Sequence, residues 1–263
     1  MSDVYHFEAG TAPLLISIPH LGSQIPGSLQ PRLTEFGLRS GDTDWHLDRL
    51  YAFAKKLGAS FLWARYSRYV VDLNRPPNDE NLYPGQAKTG LCPTHTFDGQ
   101  PLYLDGAETI DDAERETRRQ HYWQPYHDQL RHEIDRLRAK HDKVLVWEAH
   151  SIASIIPRLF DGKLPDLNIG TAGGRSCNPA MEDAIRNQLD NVNAYTWAIN
   201  GRFKGGYITR QYGAPDQNIH AIQLEMCQST YMDETYPYAW RDNEAGQVAS
   251  VVERLVNAAY QQL

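Results

Sequence analysis

Cysteine is scarce in this chain. Cys92, Cys177 and Cys227 are spread over 263 residues, and no Cys-x-x-Cys pair occurs. An odd, widely spaced set of thiols builds neither a disulfide framework nor a thiolate zinc site, and it fits a reducing cytoplasm. Basic charge is also short. Lysine and arginine total 26 against 33 acidic residues, a formal net charge of −7. That sign disfavours nucleic acid and anionic membranes as partners, although a local arginine cluster still suits a small anionic substrate. No apolar run approaches the length of a membrane span. Residues 1–13 lack a basic start and a long apolar stretch, so no secretory leader is expected. Repeats, low-complexity tracts and an evident linker are missing too, and one domain over 1–263 is expected. Nothing in the sequence fixes the oligomeric state.

What the chain does hold is an alternation of short apolar runs with helical periodicity. Leu14–Ile18 reads as a strand closed by Pro19. Further strands are expected at Phe61–Ala64, Tyr69–Leu73, Val144–Trp147, Leu167–Thr171, Tyr195–Ile199, Tyr207–Thr209 and Ile219–Met226. The spacing of Trp45, Leu47, Leu50, Tyr51, Ala54 and Leu57 predicts a helix over about 44–57, stopped by Gly58. A helix capped by Thr109 and kinked at Pro125 is expected to reach Lys140, with others over Pro179–Leu189 and about 243–261. Residues 78–108 are rich in Pro, Gly, Asn and Thr, a long loop of the kind that closes over sites. Strands alternating with helices predict an α/β fold, a sheet covered on both faces.

Such sheets place their sites at the carboxyl ends of strands. Three apolar runs here end on chemistry: LLISIPHLGS on His20, KVLVWEAHS on His150, and AIQLEMC on Glu225. Between the first two lies an acidic cluster, Asp42, Asp44 and Asp48. Two imidazoles and a carboxylate, with a fourth position open, are the donor set of a catalytic zinc site. Taken singly, each residue has a blander reading: a turn histidine, or an aspartate favoured at a helix start. Glu225 is the most telling, because Ile222, Leu224 and Met226 imply burial, and a buried carboxylate needs a partner or a raised pKa. Glu148 falls on the same side of its strand as His150, placed to orient that imidazole without being a ligand. His121, His127 and His132 read as packing or solvated helix residues. His46, His95, His141 and His220 have no such context.

Arginines gather in two segments. SRYVVDLNR holds Arg68, Asn74 and Arg75, and GRFKGGYITR holds Arg202, Lys204 and Arg210. Most arginines are surface charge, but an Asn-Arg pair closing an apolar run can grip a carboxylate. Neither Ser151 nor Cys177 sits in a nucleophile elbow, and Cys177 reads as a packing residue.

Taken in order, SIPHLG, DTDWHLDRLY, SRYVVDLNRP, YHDQL, WEAHS, IGTAGGRSC, FKGGYITRQYG and IQLEMCQSTYM resemble the N-formylglutamate amidohydrolases (deformylases). The resemblance covers nearly the whole chain and is closest to the branch acting in histidine degradation. It implies a three-layer α/β fold like that of the zinc carboxypeptidases (phosphorylase/hydrolase-like), with a mixed twisted sheet between helices. It also implies an enzyme that releases formate from N-formyl-L-glutamate, for which the donor set above leads us to expect one divalent metal ion, and the cysteine usage a cytoplasmic setting. Zinc suits the donors, as do manganese, iron and cobalt. In zinc carboxypeptidases the roles run His, acidic ligand, Asn-Arg, His and catalytic Glu. Here His20, Asp44, Asn74 with Arg75, His150 and Glu225 follow that order. The carboxypeptidase His-x-x-Glu is absent, since Leu21, Gly22 and Ser23 follow His20. The acidic ligand is therefore expected at Asp44, with Asp48 one turn on as its rival. The expected roles are His20, Asp44 and His150 for metal, Glu225 for general base, and Arg68, Asn74, Arg75 and Arg210 for the substrate carboxylates. The alternatives are a related zinc hydrolase of other acyl specificity, such as a carboxypeptidase or acyl-aspartate deacylase, and a metal-free binder of acidic amino-acid derivatives.

Overall fold

A computed structural model describes residues 4–80 and 89–263. Its strands are β1 (Tyr5–Glu8), β2 (Leu14–Ile18), β3 (Ser60–Ala64), β4 (Val144–Ile152), β5 (Leu167–Gly170), β6 (Trp197–Ile199) and β7 (Ile219–Cys227). They form one sheet in the order β1-β3-β2-β4-β7-β5-β6. The sheet is mixed: β1 runs antiparallel to β3 and β5 antiparallel to β7, while the other pairs are parallel. The central strands β2, β4 and β7 are buried along their whole length. Strands covered on both faces read as continuous apolar runs, which is how the sequence shows them.

Side chains alternate across these strands and build two cores. Leu14, Ile16 and Ile18 join Leu145, Trp147, Ile222 and Leu224 on one face, packed with residues of α5 (Pro179–Leu189) and α7 (Asp242–Tyr260). Leu15, Val144, Val146 and Ala221 occupy the other, under α4 (Gln124–Arg138) and α6 (Tyr207–Tyr212). This is the α/β sheet between helical layers that the alternation predicts. On the α4/α6 face the apolar residues give way, toward the strands' carboxyl ends, to Glu148, His150, Gln223 and Glu225. The parallel register sets His150 directly opposite Glu225.

Several local expectations change. Tyr69–Leu73 is not a strand but a buried turn. Val70 N donates to Ser67 O and Asp72 N to Leu91 O, while the apolar side chains fill two separate clusters. Tyr207–Thr209 opens α6 rather than a strand, because Ile208 N is drawn to Asn74 Oδ1 at 2.9 Å, against the strand preference of Ile and Thr. The helix expected over 44–57 is broken. Asp44 is pulled out by a bond from its N–H to His20 O, His46 turns at φ 62°, and only α2 (Leu47–Leu50) and a 3₁₀ stretch at Ala52–Leu57 follow. Gly58 does end it, at φ 74°. The long helix starts later than Thr109. Asp111 caps α3 (Asp112–Arg118), and a wider i→i+5 turn at Arg119–Trp123 absorbs Pro125, whose missing N–H cannot continue the ladder. The edge strand β1 and α1 (Glu35–Arg39) carry too little apolar periodicity to be foreseen. Of the expected loop at 78–108, residues 81–88 lie outside the described residues. The rest holds only isolated bridges such as Leu33 to Tyr103. Among the described residues no helix is long and apolar enough to cross a membrane.

Candidate active site

His20 lies two residues past β2, His150 lies within β4, and Asp44 is tied by its backbone to His20. One donor atom from each falls within 4.8 Å of the others. The proton positions follow from the neighbours. Asp72 Oδ1 is 2.8 Å from His20 Nε2, and Glu148 Oε1 is 2.7 Å from His150 Nε2. An ionised carboxylate only accepts, so both Nε2 atoms carry hydrogen, and each Nδ1 is the ring atom left to turn toward Asp44. Asp44 Oδ2 lies 3.8 Å from His20 Nδ1 and 3.1 Å from His150 Nδ1, which donates to it when protonated and would offer a lone pair where a cation takes the proton's place. His20 Nδ1 and Asp44 Oδ1 are buried with no hydrogen-bond partner. Three acceptors turned toward one point suit a cation. The carboxylates behind the imidazoles stand where, in metal sites, outer partners orient histidine ligands. The electrostatics agree. Burial and Arg68 push His20 down, toward the neutral, ligating form. Burial also opposes charge on His150, but Glu148 and Asp44 overcome it and push its pKa up to about 10, so this cluster attracts positive charge.

Each partner is itself held. Glu148 Oε2 accepts from Thr209 Oγ1 at 2.6 Å. Asp72 accepts from Arg68 Nη2 at 2.7 Å and from Asn74 N at 2.9 Å. Burial opposes its charge, yet Arg75, Arg68 and His20 hold it well below the usual carboxylate range. Asn74 is anchored through its Oδ1, which accepts from Ile208 N at 2.9 Å, and its side chain packs against the His150 ring. The Gly-Gly of FKGGYITR makes that contact possible. A Cβ on Gly206 would meet the Asn74 side chain at 2.3 Å, and Gly205 sits at φ 101°.

His20, His150 and Glu225 open into a pocket of ≈ 740 Å³, counting its mouth. Glu225 is nearly buried, and burial pushes its pKa up, with Asp44 and Glu148 adding to the rise against His150 and Arg68. Arg68, Asn74 and Arg75 line the same pocket. Arg75 is braced by Thr89, its Nε on Thr89 O and Nη2 on Thr89 Oγ1. Arg210 is not part of this lining; its Nε donates to Gly205 O at 2.9 Å, and Arg202 lines the pocket instead. Asp48 is exposed and away from the triad. Cys177 is a core residue whose thiol burial pushes up to about 12, no setting for a thiolate nucleophile.

Residues 12–232, which include every residue of this site, match the model of the family described as N-formylglutamate amidohydrolase. The chain belongs to the N-formylglutamate amidohydrolase family. It is similar to the N-formylglutamate deformylases of Pseudomonas putida and Pseudomonas aeruginosa, each 47% identical over 258 residues, or 98% of this chain and 96% of theirs. An N-formylglutamate amidohydrolase from Ralstonia eutropha shares the fold, with a TM-score of 0.81 at 23% identity over 98% of both chains. A gene product of Agrobacterium tumefaciens does so at 0.72 and 20%, over 97% of this chain and 94% of that one. Within the family frame, the residues that sequence reasoning missed are Asp72 and Thr209, and Gln223 and Phe97 of the pocket lining. Asp72 had one available signal, its place two residues before Asn74-Arg75. The others come from separate segments, joined only by the fold.

Proposed function

We propose that this chain is a single catalytic domain that hydrolyses N-formyl-L-glutamate to formate and L-glutamate, as the last step of a cytoplasmic histidine degradation route. One divalent ion, zinc by preference, would be held by His20, Asp44 and His150. The carrying observation is the convergence of three acceptor atoms, Glu225 and arginines in one pocket of a chain of this family. The order of roles matches that of the zinc carboxypeptidases, and the mixed sheet is compatible with their fold.

Bound there, the ion would act as a Lewis acid, lowering the pKa of water toward neutrality and polarising the formyl carbonyl. Glu225, with its raised pKa, takes a proton from the attacking water and returns it to the leaving amide nitrogen. Arg68, locked by Asp72 and stacked 4.5 Å from the Phe97 ring centre, adds positive charge where the oxyanion develops. Asn74 is committed to the framework and fixes the start of Arg75. Arg75 and Arg202 supply the charges that match the two substrate carboxylates.

Purified, zinc-loaded protein is expected to release formate from N-formyl-L-glutamate, and folded holoprotein that releases none overturns the reading. Arg75→Ala should raise KM by about tenfold to a hundredfold with kcat little changed, the loss of a charge-assisted contact made equally in ground and transition states. An unchanged KM places the carboxylate elsewhere. Asp72→Asn should weaken zinc binding by about 10- to 100-fold in a chelator competition, with excess zinc restoring much of the turnover. Unaltered zinc affinity removes Asp72 from the orienting role.

A further inference from the structure

Two cavities meet at an apolar wall beside the triad. The second, ≈ 1050 Å³ with its mouth, is lined by Asp42, Tyr69, Ser151 and Tyr238 among others. Phe97 and Ile152 line both. They belong to one apolar cluster. Both adjoin the reacting centre. Ile152 follows His150 by two residues on β4 and so projects from the same face. The Phe97 ring covers Arg68, whose Nη1 is 3.9 Å from Asp44 Oδ1. The pocket's arginines draw the substrate's carboxylates to themselves, which leaves this wall to face the acyl substituent. A formyl group presents only a hydrogen there, and every added carbon must displace the wall. Beyond it Phe36, Ile155 and Tyr236, all exposed, give the second cavity apolar surface for a longer chain, beside the charged Arg39, Asp42, Asp98 and Glu234.

We propose that Phe97 and Ile152 are the residues that restrict this site to the one-carbon acyl group. Truncating either joins the two cavities and admits longer N-acyl-L-glutamates, cleaved by water at the same C–N bond to a carboxylic acid and L-glutamate. The inference rests on the N-formylglutamate reading above.

The test compares kcat/KM for N-formyl-, N-acetyl- and N-propionyl-L-glutamate in zinc-loaded wild type, Phe97→Ala and Ile152→Ala. Wild type should prefer the formyl substrate. In each variant the acetyl-to-formyl ratio should rise by about 10- to 200-fold, the range that one carbon sets in an apolar pocket. Using the ratio cancels any general loss from the disturbed Arg68 stack. Where a variant turns over nothing, calorimetry compares N-acetyl-L-glutamate with L-glutamate, and the acetyl compound should gain affinity by a similar factor. Ratios equal to wild type in both variants, by turnover or by binding, overturn the proposal. Failure of the activity reading is separate and shows in the wild type, as no formate from N-formyl-L-glutamate.

Discussion

Glu225→Gln is expected to lower kcat for formate release by about 10²- to 10⁴-fold, the usual worth of a positioned proton carrier. KM and bound zinc should stay near wild type. Glu225 is not one of the three clustered donors, and glutamine keeps its shape and its contact with Gln223 Nε2, at 3.4 Å from Oε2. What the exchange removes is a group able to accept a proton from water and return it to nitrogen. Folding should not suffer, because the change deletes a nearly buried charge rather than stranding one. Steady-state kinetics with metal content measured on the same sample check this. A kcat near wild type removes Glu225 as the base, and a fall in zinc content would make it a ligand instead.

Chelation is expected to stop formate release, and zinc to restore it. Asp44→Asn should do the same permanently. Asp44 is fully buried, and in the proposed site its charge is what would hold a cation between two imidazoles. The asparagine amide can donate to a histidine Nδ1, so the fold survives while the cation loses its anionic ligand. The loss of zinc affinity should exceed the about 10- to 100-fold that outer partners contribute. Asp48→Asn, at an exposed position one turn on, should change neither zinc nor turnover. Stoichiometric zinc after gel filtration of Asp44→Asn would return the acidic ligand to open question.

The central strands were legible because a strand buried on both faces is an unbroken apolar run, and such a run ending on His or Glu stands out. Leu14–Ile18 and Pro179–Leu189 match the structure to the residue. Tyr69–Leu73 misled for the same reason. Apolar side chains report burial, and a buried turn looks like a buried strand. That turn carries Asp72 inward, so misreading it hid the partner of His20. Asp44 was legible in type but not in setting, since helical spacing concealed the break at His46. Phe97 and Arg202 come from loops, and no periodicity marks where a loop will land.

The ladder between β4 and β7 has one more implication. Because His150 faces Glu225 through a parallel register that begins at Val144 and Ile219, the gap between the proposed metal ligand and the proposed base is counted out in residues. Swapping one buried aliphatic for another along those strands leaves that count intact. Inserting or deleting a single residue on either strand turns the His150 or Glu225 side chain to the opposite core. Between Val144 and His150, and between Ile219 and Glu225, this chain should therefore tolerate changes of spelling far better than changes of length.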